Sequence, residues 1–135
     1  MGGYLIDTGV ANLLALRDQV TEERLRPLRP VYLPNIVFGE LQFGAYWYAH
    51  RYQSTRYLDL YDAFAKRFRR NTLSCNFATA SFYGAIFAEL RSKGQPIQQN
   101  DVWIAALAIQ YQLTLLSLDK DYERITGLKL LLFPR

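Results

Sequence analysis

Cysteine and histidine are almost missing from this chain of 135 residues, at one each. Cys75 therefore has no internal disulfide partner and cannot build a thiolate metal site alone, which suits a reducing cytosol. It reads as a buried spacer at the end of a strand. His50 stands at the end of a predicted helix, where it suits the last carbonyls better than the role of a base. Ser74, Ser81 and Ser117 have no histidine at motif spacing, which argues against a serine hydrolase. Neither common type of glycine-rich phosphate loop is present. No window reaches the roughly eighteen apolar residues of a membrane span, and the opening MGGYLID lacks a basic stretch leading into an apolar core. The expectation is a cytoplasmic chain with no membrane anchor.

What is present suits one folded globule. Half of the residues are hydrophobic and 21% are charged, which excludes wholesale disorder. The length predicts a single domain over residues 1–135. Net charge is +4, and the basic residues are uneven: Arg51, Arg56, Lys66, Arg67, Arg69 and Arg70 alternate with Tyr48, Tyr52, Tyr57, Tyr61 and Phe68. Such a surface could follow a phosphate backbone and stack on unpaired bases. Its plainer reading is the solvated face of a helix.

Strand and helix signals alternate. YLI at 4–6 is a short apolar strand, and VANLLAL after it has helical spacing. VYL at 31–33 lies between Pro30 and Pro34, and helices follow over about 35–50 and 55–69. TLSC at 72–75 is the next strand, then a helix over about 78–93 stopped by Gly94 and Pro96. DVWIAALAIQYQ is helical from Asp101, and the last strands are expected at 114–118 and 129–133 around a turn at 119–121. This pattern predicts an α/β fold, a three-layer α/β/α sandwich around a parallel sheet of four to five strands.

Four acids stand where apolar runs meet strand ends or helix starts: Asp7, Glu40, Asp101 and Asp119. Residues just past the carboxyl ends of parallel strands gather along one edge, where such sheets place their ligands. Glu40 has Ile36, Val37, Phe43, Gly44 and Trp47 as same-face neighbours, with no basic residue among them. A lone carboxylate on a buried face of that kind must be protonated, paired, or bound to a cation, and a cation is our expectation. Each of the other acids has a plainer reading. Asp7 could cap the following helix, as could Asn100 or Asp101, and Asp119 with Asp121 lies in a turn that favours Asp.

Taken together, Ile6-Asp7-Thr8, Glu40, Asn100-Asp101, the Ile104-Ala105-Ala106 helix, Ser117-x-Asp119-x-Asp121-Tyr122 and Gly127-Leu128 resemble a PIN-domain ribonuclease of the VapC toxin type. The resemblance spans essentially the whole chain. It implies a magnesium- or manganese-dependent endoribonuclease site with Asp7, Glu40, Asp101 and Asp119 as the acidic quartet, Asp7 and Asp101 being the favoured direct ligands. Thr8, Asn100 and Ser117 would be polar support, and Asp121 an extra member or a substitute for Asp119. It also implies homodimers, a cognate antitoxin and an RNA substrate such as tRNA or rRNA. Many members carry Asn where this chain has Gly9, a departure that either weakens activity or serves a tight turn. Two other classes compete: a PIN-fold module that binds RNA or antitoxin without cleaving, and an acid-pocket phosphotransfer protein. A haloacid-dehalogenase-like phosphatase would want an acid at position 9, and a receiver domain a lysine closing a late strand.

Overall fold

The computed structural model describes residues 2–134, so the outermost residue at each end of the expected 1–135 domain lies outside the described residues. Its elements run β1 (Tyr4–Ile6), α1 (Thr8–Ala15), α2 (Gln19–Leu25), β2 (Val31–Pro34), α3 (Asn35–Tyr52), α4 (Arg56–Arg67), β3 (Thr72–Leu73), α5 (Phe77–Ser92), α6 (Gln99–Gln110), β4 (Thr114–Ser117), a 3₁₀ turn over Lys120–Arg124, and β5 (Leu130–Leu132). The strands form one sheet in the order β3-β2-β1-β4-β5. Every neighbouring pair is parallel.

The order follows from which segments are wholly apolar. β1 and β4 occupy the middle of the sheet, and Leu5, Ile6, Leu115 and Leu116 have no solvent exposure, as parallel strands covered on both faces require. The chain steps from β1 to β2 to β3 in one direction, then returns to β4 and β5 on the other side of β1. Right-handed crossovers therefore place α1 to α4 on one face and α5 with α6 on the other. α6 is the most deeply buried helix: Val102 and the run from Ile104 to Ala108 are fully enclosed. Small alanines there let the helix sit close to the sheet and to α5.

The expected elements are present, with shifted ends. α2 is an additional helix, seven residues long and capped by Asp18, whose carboxylate accepts from the Thr21 amide at 3.0 Å and the Thr21 hydroxyl at 2.7 Å. β3 covers only Thr72–Leu73 of the stretch expected at 72–75, because it is an edge strand that pairs with β2 alone. Cys75 falls beyond it and is half-buried, with its thiol pKa pushed up by that burial. Among the described residues, no helix is long and apolar enough to cross a membrane.

Candidate active site

The reversal of strand order beside β1 opens a crevice at the carboxyl ends of β1 and β4, the position where open α/β sheets take ligands. Asp7 follows β1 there and is only 5% exposed. It does cap α1, since its Oδ1 accepts from the Val10 amide at 2.9 Å. Its other oxygen accepts from Ser117 Oγ at 2.5 Å, across the seam between the two central strands. Ser117 Oγ in turn accepts from the Asp119 amide at 2.9 Å, so one fully buried hydroxyl ties Asp7 to the turn after β4. Burial pushes the Asp7 carboxyl up from 3.8 to about 6, against the pull of those hydrogen bonds, and the charges of Asp101 and Asp119 push the same way.

Asp101 lies in the first turn of α6 and caps nothing, because the capping position belongs to Gln98. That removes its plainer reading. Its Oδ1 accepts from the Tyr122 hydroxyl at 3.1 Å. Its pKa is raised, first by burial and then by Glu40, Asp119 and Asp121, with the Tyr122 bond opposing. Tyr122 is 1% exposed, and its own pKa is held far above the usual range by burial and by the charges of Asp101 and Asp7. Sequence reasoning assigns Tyr122 no role, because nothing local marks a tyrosine whose partner lies 21 residues away.

Glu40 accepts from Thr8 Oγ1 at 2.6 Å, which fixes it above the start of α1. Its surroundings differ from expectation. The helix face it shares is apolar but open, with Phe43 71% and Trp47 54% exposed, while Val37, Leu41 and Ala45 supply the core contact of α3. Apolar periodicity locates a face and does not tell the core side from an outer one. Burial by those neighbours is therefore not what makes Glu40 unusual; its closeness to Asp101 and its bond to Thr8 are. Thr8, Glu40 and Asn100, with Ile36, Gly39 and Phe43, line a cleft of about 470 Å³.

Asp119 keeps its turn role, Oδ1 accepting from the Asp121 amide at 2.9 Å. Asp121 is paired with Arg124 at 3.2 Å, an exposed pair open to solvent screening. Gly9 sits within the first turn of α1, and the tight-turn reading does not hold there. A Cβ at that position would meet Asp7 Oδ1 at 3.7 Å, an ordinary contact.

The acids fit a small hard cation. Among the described residues, none of Asp7, Glu40, Asp101 and Asp119 has a basic partner within ion-pair distance. Glu40, Asp101 and Asp119 each hold one oxygen with a protein donor and, among the described residues, leave the other free of one. No three acidic, histidine or cysteine side chains among the described residues form a ready-made cage. That arrangement suits an ion which takes one or two carboxylates and keeps several waters.

The basic cluster does not form one patch. Arg51 and Arg56 flank the turn between α3 and α4, whereas Lys66 and Arg67 end α4 and Arg69 and Arg70 precede β3. Ten residues of helix separate the groups by about 15 Å. Arg67 is engaged by Glu22 through two bonds at 2.6 and 3.0 Å. It lines a cavity with Arg29, Pro30 and Val31, where β2 begins, at the edge of the sheet opposite the acids.

Fold and site together define a parallel α/β domain with a carboxylate pocket at its switch point. The PIN domain model matches residues 4–128. Ribonuclease VapC1 of Haemophilus influenzae (strain R2866) is 30% identical over 131 residues, covering 93% of this chain and 94% of that protein. Among solved structures, DNA-bound VapBC from Salmonella typhimurium superposes with a TM-score of 0.85 at 25% identity, covering 97% of this chain and 98% of that one. VapBC-1 from nontypeable Haemophilus influenzae gives 0.77 at 29% identity, covering 98% of each. The chain belongs to the PIN-domain family, among its VapC-type members.

Proposed function

We propose that this protein is a Mg²⁺- or Mn²⁺-dependent endoribonuclease, the toxin of a toxin-antitoxin pair. The observation that carries this reading is the unpaired acid cluster, with Asp7 and Asp101 both pushed toward the protonated form by burial and by neighbouring carboxylates. A VapC-type relative named as a ribonuclease supports the reaction class.

In this reading Asp7 and Asp101 hold the ion, and Glu40 and Asp119 use their free oxygens to orient a water or take its proton. The ion, when bound, acidifies a coordinated water and offsets charge that builds on a scissile phosphodiester. Asp7 is rigid, with both oxygens held, so it sets where the ion sits. Thr8, the residue after Asp7, fixes Glu40. Asn100 lies in the cleft beside Glu40 and would contact the substrate.

An RNA strand leaving the pocket meets the outer face of α3, where Phe43, Trp47 and Arg51 succeed Glu40 at helical spacing. Two open aromatics followed by a cation suit stacked bases and a phosphate. Arg56 stands just past the end of that face. A cognate antitoxin is one protein partner we assign, with VapBC structures of relatives as the support, and a second copy of the chain is the other. The exposed Phe43 and Trp47 on α3 are a face the antitoxin would take in competition with RNA, and the exposed Phe77 and Phe82 on α5 a face left for the second copy.

Cleavage of RNA with Mg²⁺, with EDTA as control, tests the reading. Asp7→Asn and Asp101→Asn should each abolish cleavage while the protein stays folded. Parental rates in both variants, or full activity in EDTA, would remove the metal-site assignment; a folded parent that binds RNA and never cuts it would make the protein a binding module.

A further inference from the structure

We infer that Tyr122 is a positioning residue for Asp101, and that its hydroxyl sets the affinity of the acid pocket for a divalent ion. This rests on the metal-dependent reading above and extends it to a residue outside the acidic quartet.

The donors to the four acids are unequal. Asp7 is held twice, by the Val10 amide and the Ser117 hydroxyl. Asp119 is held by the amide two residues further on, as part of its own turn. Glu40 is held by Thr8, which stands beside Asp7. Asp101 sits in a helix that offers it no cap bond, and among the described residues Tyr122 is its single donor. Without that bond the half-buried carboxylate would be free to rotate outward, driven by repulsion from Glu40, Asp119 and Asp121. The hydroxyl counters that repulsion through one hydrogen bond of 3.1 Å.

Tyr122 is well placed to do so. Its ring is buried, in the 3₁₀ turn that Asp119 caps, so the turn after β4 reaches across the pocket to the first turn of α6. Holding Oδ1 leaves Asp101 Oδ2 as the oxygen open to a cation. Fixing the ligand before the ion arrives removes an ordering cost from binding, and partners of this kind change metal affinity by about 10- to 100-fold.

Tyr122→Phe removes the hydroxyl and keeps the ring. Mn²⁺ titration of the full chain, followed by the electron-spin resonance of the free ion, would compare the parent, Y122F, D101N and the double variant. Y122F should bind Mn²⁺ about 10- to 100-fold more weakly with an apo melting temperature near the parent's, and should add nothing in the D101N background. In cleavage at fixed Mn²⁺, kcat should fall while KM for RNA holds. If Y122F binds Mn²⁺ as the parent does while D101N does not, the inference is overturned and the metal reading stands. A parent that binds no Mn²⁺ overturns both. A Y122F chain that fails to fold shows the hydroxyl serving the fold instead of aiming Asp101, which also overturns the inference.

Discussion

A carboxyl that titrates at 3.8 in the unfolded chain and near 6 in the folded one carries a proton, between those values, that the unfolded chain has released. Asp7 is such a group. The folded state binds more protons there, so stability of the metal-free protein is greatest below about pH 4 on this account and falls as pH rises toward 6. A rise of that size corresponds to roughly 3 kcal/mol. Urea unfolding in EDTA between pH 4 and 6.5 should show that decline in the parent. Asp7→Asn keeps an oxygen for the Val10 amide and has no charge to bury, so its profile should be flatter by about that amount; parallel profiles would mean that Asp7 is solvated. Asp7, Thr8 and Ser117 are visible in the sequence because each sits where an apolar strand stops. That Ser117 bridges Asp7 and Asp119 is not, since the bridge depends on β1 and β4 being neighbours despite the 110 residues between them.

At the scale of elements, polar contacts as well as apolar packing hold α5 against α6. Asn76 and Thr79 form a reciprocal cap at the start of α5: the Thr79 amide donates to Asn76 Oδ1 at 3.0 Å and the Asn76 amide to Thr79 Oγ1 at 2.9 Å. The fully buried Thr79 hydroxyl has one proton, and it reaches Gln110 Oε1 at 2.5 Å on the last turn of α6. Thr79→Val keeps the shape and the backbone amide bond to Asn76 but deletes the bonds of the hydroxyl, leaving the Asn76 amide and the Gln110 oxygen short of a partner. The expected loss is about 1–3 kcal/mol, read as a lower urea midpoint, with cleavage per folded molecule unchanged because the cap lies at the end of α6 away from Asp101. A variant of parental stability would show water replacing the hydroxyl. Helices with an apolar stripe are legible in the sequence, α4 and α5 to within about two residues. The short, mostly polar α2, QVTEERL, is not: its one strong signal is the Asp18 cap, and Thr21 and Leu25 are its only buried residues.

Across the whole molecule, charge is divided between two ends. The acid pocket opens at the carboxyl edge of the sheet, and Arg67, with Arg29, lies at the amino edge, its charge already met by Glu22. Linear sequence places Arg51 through Arg70 in one cluster because α3 and α4 are adjacent in the chain, but the length of α4 carries its two ends apart. An RNA that enters along the outer face of α3 would contact Arg51 and Arg56 and leave Arg69 and Arg70 in solvent. Binding of RNA to the non-cleaving Asp101→Asn protein, measured over a range of salt, separates the two groups. Reversing Arg51 and Arg56 to Glu should flatten the dependence of log affinity on log salt by about 0.7 for each phosphate that is no longer neutralised. The same reversal at Arg69 and Arg70 should lower affinity only slightly and leave the slope in place, since distant exposed charges are screened beyond about 8 to 10 Å. If the slope instead falls with Arg69 and Arg70, the substrate approaches from the amino edge, and the aromatic face of α3 is left to protein partners alone.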